Sequence, residues 1–161
     1  MTNYTIMKTM KIWYWPLMVL LVANVGQTIA QTPTVHDITL QVNTSHFDRH
    51  NPTASCQLVA GEGTQILVSS PVEEFTIAAE VGDTIRWNGI STTQADATIQ
   101  IRKIKYERGV NIFPFDEKDG DTIVEGTITK GKHGEDYKYV ISFKINGTGP
   151  MYHIDPKIQV K

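Results

Sequence analysis

The chain reads as all-β: an antiparallel Greek-key β-sandwich or small barrel of roughly seven to nine strands. Three observations predict it. From Thr34 onward apolar residues recur with period two, the pattern of strands with one face on a core and one in water. Clusters of Gly, Pro, Asn and Asp break that alternation about every 8–12 residues, the spacing of sandwich strands. Beyond residue 30, no window carries a helical apolar stripe with its caps.

The first element stands apart from the rest. "MTNYTIMKTMK" holds Lys8 and Lys11 and no acid, "IWYWPLMVLLVANVG" is an apolar run, and "QTIA" ends in small residues before Gln31. A positive start, an apolar middle and a small-residue site are the layout of a secretory signal peptide. The run is interrupted by Pro16 and Asn24 and is short of the roughly 20 residues a membrane-spanning helix needs. Cleavage is therefore expected after Ala30, with residues 1–30 as signal peptide, residues 31–161 as a single β-sandwich domain, and no membrane span left after cleavage.

The strands follow in order. Residues 31–36 read as a loose start. "HDITLQVN" places Ile38, Leu40 and Val42 on one face, and residues 43–55 read as a polar connection. "EFTIAAE" aligns Phe75, Ile77 and Ala79; after the Gly82-Asp83 turn, "DTIRWNG" aligns Ile85 with Trp87, the one tryptophan beyond the leader and a core residue by phase. "ATIQI" aligns Ala97, Ile99 and Ile101, after which the apolar parity moves to Ile104 and Tyr106, as a bulge would produce. "YKYVISFKI" alternates from Tyr137 to Ile145, and "HIDPKIQVK" sets Ile154, Ile158 and Val160 on one side. "DEKDGD" at 116–121, "GKHGED" at 131–136 and "NGTGP" at 146–150 read as turns.

Composition then removes several functions. Of 15 lysines and arginines, Lys8 and Lys11 leave with the leader, so 13 bases face 17 acids, a net charge of −4. The remaining bases are scattered, without the basic face and interleaved aromatics of a nucleic-acid footprint. Cys56 is the only cysteine, so no intrachain disulfide supports the fold in an oxidising compartment. A lone thiol is a buried small hydrophobe, a site of intermolecular pairing or a ligand, and its place beside the apolar run "QLVA" favours the first.

Candidate chemistry is sparse. On an extended strand His46, Asp48 and His50 would point the same way and could converge on one ion. His36, His133 and His153 are isolated in sequence. No Gly-x-Ser-x-Gly elbow is present, and the acid-rich turn from Asp116 has Thr127 where a calcium loop needs its twelfth-position Glu. Asn43-Thr44-Ser45 and Asn146-Gly147-Thr148 match the N-glycosylation sequon, which matters in a eukaryotic host.

"VEEFTIAAEVGDTIRW" over residues 72–87, with the strand "ATIQI" after it, resembles the middle of cupredoxin-like domains, and "DYKYVISFKINGTGPMYHIDPKIQV" resembles their end. The resemblance implies a sandwich of cupredoxin-like or immunoglobulin-like type. It does not bring a type-1 copper site. Such a site needs histidines, a cysteine and usually a methionine, yet "NGISTTQADAT" after Trp87 has no histidine, Ile141 and Ser142 stand where a thiolate would be, and Cys56 lies far upstream. Met151 and His153 do occur in the last loop. The expectation is an exported, non-enzymatic domain, periplasmic or extracellular and soluble, without cofactor. It would bind a protein or small-molecule partner outside the cytoplasm or serve a structural role. The alternative is a copper- or zinc-binding protein using scattered histidines, drawn from His46, Asp48 and His50 or from Met151 and His153. A small hydrolase or carbohydrate-binding domain is a third class, for which the sequence offers neither a triad nor an exposed aromatic platform.

Overall fold

Alternation sets which way side chains point; the turns decide which strands meet. The computed structural model describes residues 32–107 and 109–161. Its strands are β1 (Val35–Val42), β2 (Cys56–Ala60), β3 (Gln65–Val68), β4 (Thr76–Ala79), β5 (Thr84–Ser91), β6 (Ile99–Tyr106), β7 (Glu117–Asp119), β8 (Val124–Thr127), β9 (Asp136–Ile145), β10 (Thr148–Ile154) and β11 (Lys157–Val160). A 3-10 turn, Pro52–Ser55, precedes β2. The signal-peptide reading of residues 1–30 lies outside the described residues. Thr32–Lys161 form one compact unit.

The strands make two sheets, β2-β1-β5-β8 and β3-β4-β11-β9-β6-β7, with β10 also paired to β9. The all-β sandwich is therefore the fold. It has eleven strands among the described residues, above the expected seven to nine, and both sheets are mixed. β1 runs parallel to β5 and β4 parallel to β11. Parallel neighbours need a long crossover, and here residues 43–83 visit the other sheet before β5 returns to β1.

The additional strands are those without a clean period. β3 and β7 are exposed at every position, so no apolar alternation marks them. β10 begins inside the "NGTGP" turn, and "HIDPKIQVK" is split into β10 and β11 at Asp155-Pro156, because proline has no N–H to give a ladder. Residues 35 and 36 belong to β1 rather than to a loose start.

The alternating residues do face one core. Ile38, Leu40, Val42, Phe75, Ile77, Ile85, Ile99, Ile101, Tyr139, Ile141, Ile158 and Val160 are all buried in one cluster fed by both sheets. The parity change after Ile101 is a register shift against β9 between Ile101 and Lys103. Trp87 is 1% exposed. Its Nε1 donates to the Tyr139 hydroxyl at 3.1 Å, and its ring meets Phe113 edge-on at 5.6 Å.

The Gly-Asp turn before β5 is a structural anchor. Gly82 sits at φ +103°, a conformation glycine adopts freely. Asp83 is buried and accepts the Thr34 N–H on Oδ1 and the Glu80 N–H on Oδ2, both at 2.8 Å. His36 is not isolated: its Nε2 lies 3.0 Å from Asp83 Oδ2 and its Nδ1 3.0 Å from Thr64 Oγ1. Burial alone would raise the Asp83 pKa, but the two backbone N–H groups and the imidazole outweigh it and hold the carboxyl below its ordinary value.

Candidate functional site

Three segments distant in sequence meet beyond the C-terminal end of β1: residues 43–50, the β5–β6 connection, and the β9–β10 hairpin. The hairpin is tight because Asn146 and Gly147 both take positive φ, 54° and 65°, as a type I′ turn requires. Asn146 binds this hairpin to β6, its N–H donating to Thr98 O at 2.8 Å and its Oδ1 accepting the Thr98 N–H at 2.9 Å. The first segment is tied to the second by hydroxyls: Thr44 Oγ1 lies 2.7 Å from Ser91 Oγ, and the Ser45 N–H donates to Thr93 Oγ1 at 3.0 Å.

Phe47 fixes the first segment from below. It packs partly buried against the core, with its ring centroid 4.6 Å from Tyr152 and 6.4 Å from Phe143, both edge-on. Such pairs add about 0.5–1.5 kcal/mol beyond burial. The residue that reads as part of a solvated loop thus supplies an aromatic plug.

Between the three segments lies a cleft of about 390 Å³. Phe47, Ile145 and Tyr152 give it apolar surface, while Ser45, Arg49 and Gln94 present polar groups. Tyr152 is 8% exposed, its hydroxyl bonds no described residue, and the residue lines the cleft. Among the described residues no carboxylate lines the cleft.

The sequence-selected metal candidates are arranged differently from the strand geometry that would unite them. His46, Asp48 and His50 lie in an irregular exposed segment. Asp48 Oδ1 accepts the His50 N–H at 2.8 Å, a local turn. Among the described residues no three or more His, Cys, Asp or Glu side chains form a group able to hold a metal ion. Met151 and His153 are both exposed on β10. His153 Nδ1 pairs with Ser142 Oγ at 3.0 Å, at the cross-strand position where the resemblance would put a thiolate. Cys56 is half-buried at the start of β2, and burial first, then Glu73, pushes its thiol up to about 12. Burial thus disfavours the thiolate, which is the reactive form.

Arg49, Gln94 and Tyr152 carry no motif or period that marks them in the sequence as residues of one cleft. The one usable signal was "NG" between alternating runs, a hairpin mark, which places residue 152 across from Phe143.

No protein-family model matches the chain, and no curated protein matches it in sequence. Among solved structures, it is similar to an inclusion body protein (PixA) from Burkholderia cenocepacia. The TM-score is 0.58 at 11% identity, over 82% of this chain and 96% of that one. At this identity the likeness concerns the fold alone.

Proposed function

We propose that the chain is an exported, non-enzymatic β-sandwich domain, a cupredoxin-like scaffold without type-1 copper, whose role is to bind a small ligand in the cleft between its loops. The cleft is the observation that carries this reading. Three tied segments and an aromatic plug make it largely preformed, and preformed concavities with a few convergent polar groups are where proteins take small ligands. The N-terminal layout of charged start, apolar run and small-residue site supports export.

Binding rather than catalysis is supported by where the nearest approach to catalytic chemistry sits. Thr64, His36 and Asp83 bring a hydroxyl, an imidazole and a carboxylate together. That group lies at the opposite end of β1, about 25 Å from Thr44 at ~3.3 Å per strand residue. His36 is 5% exposed with both ring nitrogens engaged, which suits a staple.

Two measurements test this reading. Intact mass of the protein recovered from the exported fraction of a secreting host should show loss of residues 1–30; a protein found only inside the cells with residues 1–30 retained overturns export. A small-molecule library screened by thermal shift should give compounds that raise Tm for the native protein and fail with Ser45→Trp, which fills the cleft mouth. Hits that survive Ser45→Trp, or no hits at all, overturn the cleft as the binding site.

A second reading is a packing role, prompted by the likeness to an inclusion body protein. The feature favouring it is β3, an edge strand whose Ile66, Leu67 and Val68 are each about 40% exposed.

A further inference from the structure

We propose that the cleft takes a small organic carboxylate, with the Arg49 guanidinium as its anion partner and the Tyr152 hydroxyl as a second donor; this rests on the cleft being the binding site. Charge makes the case first. Among the described residues the other arginines are committed: Arg86 pairs with Glu125 at 2.6 Å and Asp37 at 3.4 Å, and Arg102 with Asp121 at 2.7 Å. Arg49 has no such partner, although its segment also carries Asp48, whose carboxylate is turned to the His50 N–H. A guanidinium presents a planar fork that matches a carboxylate bidentately. With no acid lining the cleft, Arg49 makes it a cationic concavity on a chain of net negative charge.

The second observation is independent of charge. Tyr152 is more than nine-tenths buried, pinned between Phe47 and Phe143, and its hydroxyl bonds no described residue. Buried tyrosines usually give that hydroxyl a partner, and Tyr152 is one of the residues that line the cleft. The side chains of Ser45 and Gln94 likewise bond no described residue and offer further donors at the rim. The arrangement is one forked cation, several neutral donors and an apolar wall. A carboxylate head on Arg49 and Tyr152, with its body against Phe47 and Ile145, uses the cation and the apolar wall and leaves Ser45 and Gln94 for the rest of the ligand.

The test is an amide-resolved NMR titration of the purified protein at pH 7. The probes are benzoate and galacturonate, which share the carboxylate and differ in apolar against hydroxylated body. Benzamide and galactose are their neutral counterparts. At least one carboxylate is expected to shift the amides of Ser45, Gln94 and Thr148 saturably, with its neutral counterpart at least about tenfold weaker, as loss of a charge-assisted pair implies. Arg49→Gln should weaken the carboxylate about tenfold or more and bring it close to its neutral counterpart. Tyr152→Phe should weaken the carboxylate severalfold with the fold intact by amide dispersion.

Neutral probes that shift the same amides as strongly as carboxylates overturn the anion assignment while leaving the cleft a binding site. Carboxylate binding undiminished in Arg49→Gln overturns it equally. No movement of these amides with any probe overturns the carboxylate site; the library screen with Ser45→Trp then decides separately whether the cleft binds anything.

Discussion

A carboxylate ringed by two backbone N–H groups and an imidazole stabilises the fold only while it is ionised, and Asp83 is so placed. Its folded pKa is depressed, so its contribution is fully present above the ordinary carboxylate value of about 3.9 and is lost as pH falls through the folded pKa. Urea midpoints between pH 7 and pH 2.5 should fall at the acid end. Asp83→Asn should cost about 1–3 kcal/mol at pH 7, because an amide nitrogen then faces an N–H donor, and it should flatten the acid slope. An acid slope identical in both proteins would remove Asp83 as its source. Tyr139→Phe strips Trp87 Nε1 of its acceptor in the core and should likewise cost about 1–3 kcal/mol by chemical denaturation. Cys56, with its thiol near 12, should react with a disulfide reagent at pH 8 far more slowly in the native state than in urea; equal rates would contradict its protected setting.

Elements with a clean period were legible in the sequence, and those without one were not. β1 and β9 alternate over long runs, and β5 over its first half, because each has one face in the shared core. β7 escaped notice since Glu117, Lys118 and Asp119 are all exposed, held by the ladder to β6 and the ion pairs to Lys103. Gly89 shows what a strand glycine can mark. A Cβ there would lie 2.5 Å from Ile99 Cγ2, close to the Ile90–Thr98 bridge where β5 approaches β6. Gly89→Ala should therefore destabilise by about 1–3 kcal/mol, the usual cost of overpacking, read as a lower urea midpoint. β3 makes the opposite case. Its register against β4 shifts between Ile66 and Val68, a bulge that blunts a free edge, though three apolar side chains remain open. Leu67→Lys should leave stability within about 0.5 kcal/mol and raise the temperature at which light scattering begins. Unchanged scattering would argue against β3 as a packing edge.

Across the whole molecule, the site was less legible than the fold because its parts are joined by tertiary contacts alone. Thr44 meets Ser91 across 47 positions, and Asn146 meets Thr98 across 48. No periodicity connects Arg49, Gln94 and Tyr152, and Tyr152 looks in sequence like any inward strand residue. The His36–Asp83 pair, also 47 apart, was hidden for the same reason. The metal cluster misled in the other direction: spacing places His46, Asp48 and His50 together only if the backbone is extended, and Asn51-Pro52 and the Asp48 turn keep it irregular.

The order of strands in the larger sheet also sets a timetable. β11 lies between β4 and β9, so the β3–β4 pair joins the rest of that sheet through residues 157–160. A chain synthesised from its N-terminal end holds two separate fragments of sheet until Val160 has been made, and such non-local closure is slow. Until then the β3–β4 pair and the strands around β9 share no ladder, and β11 supplies both missing edges at once.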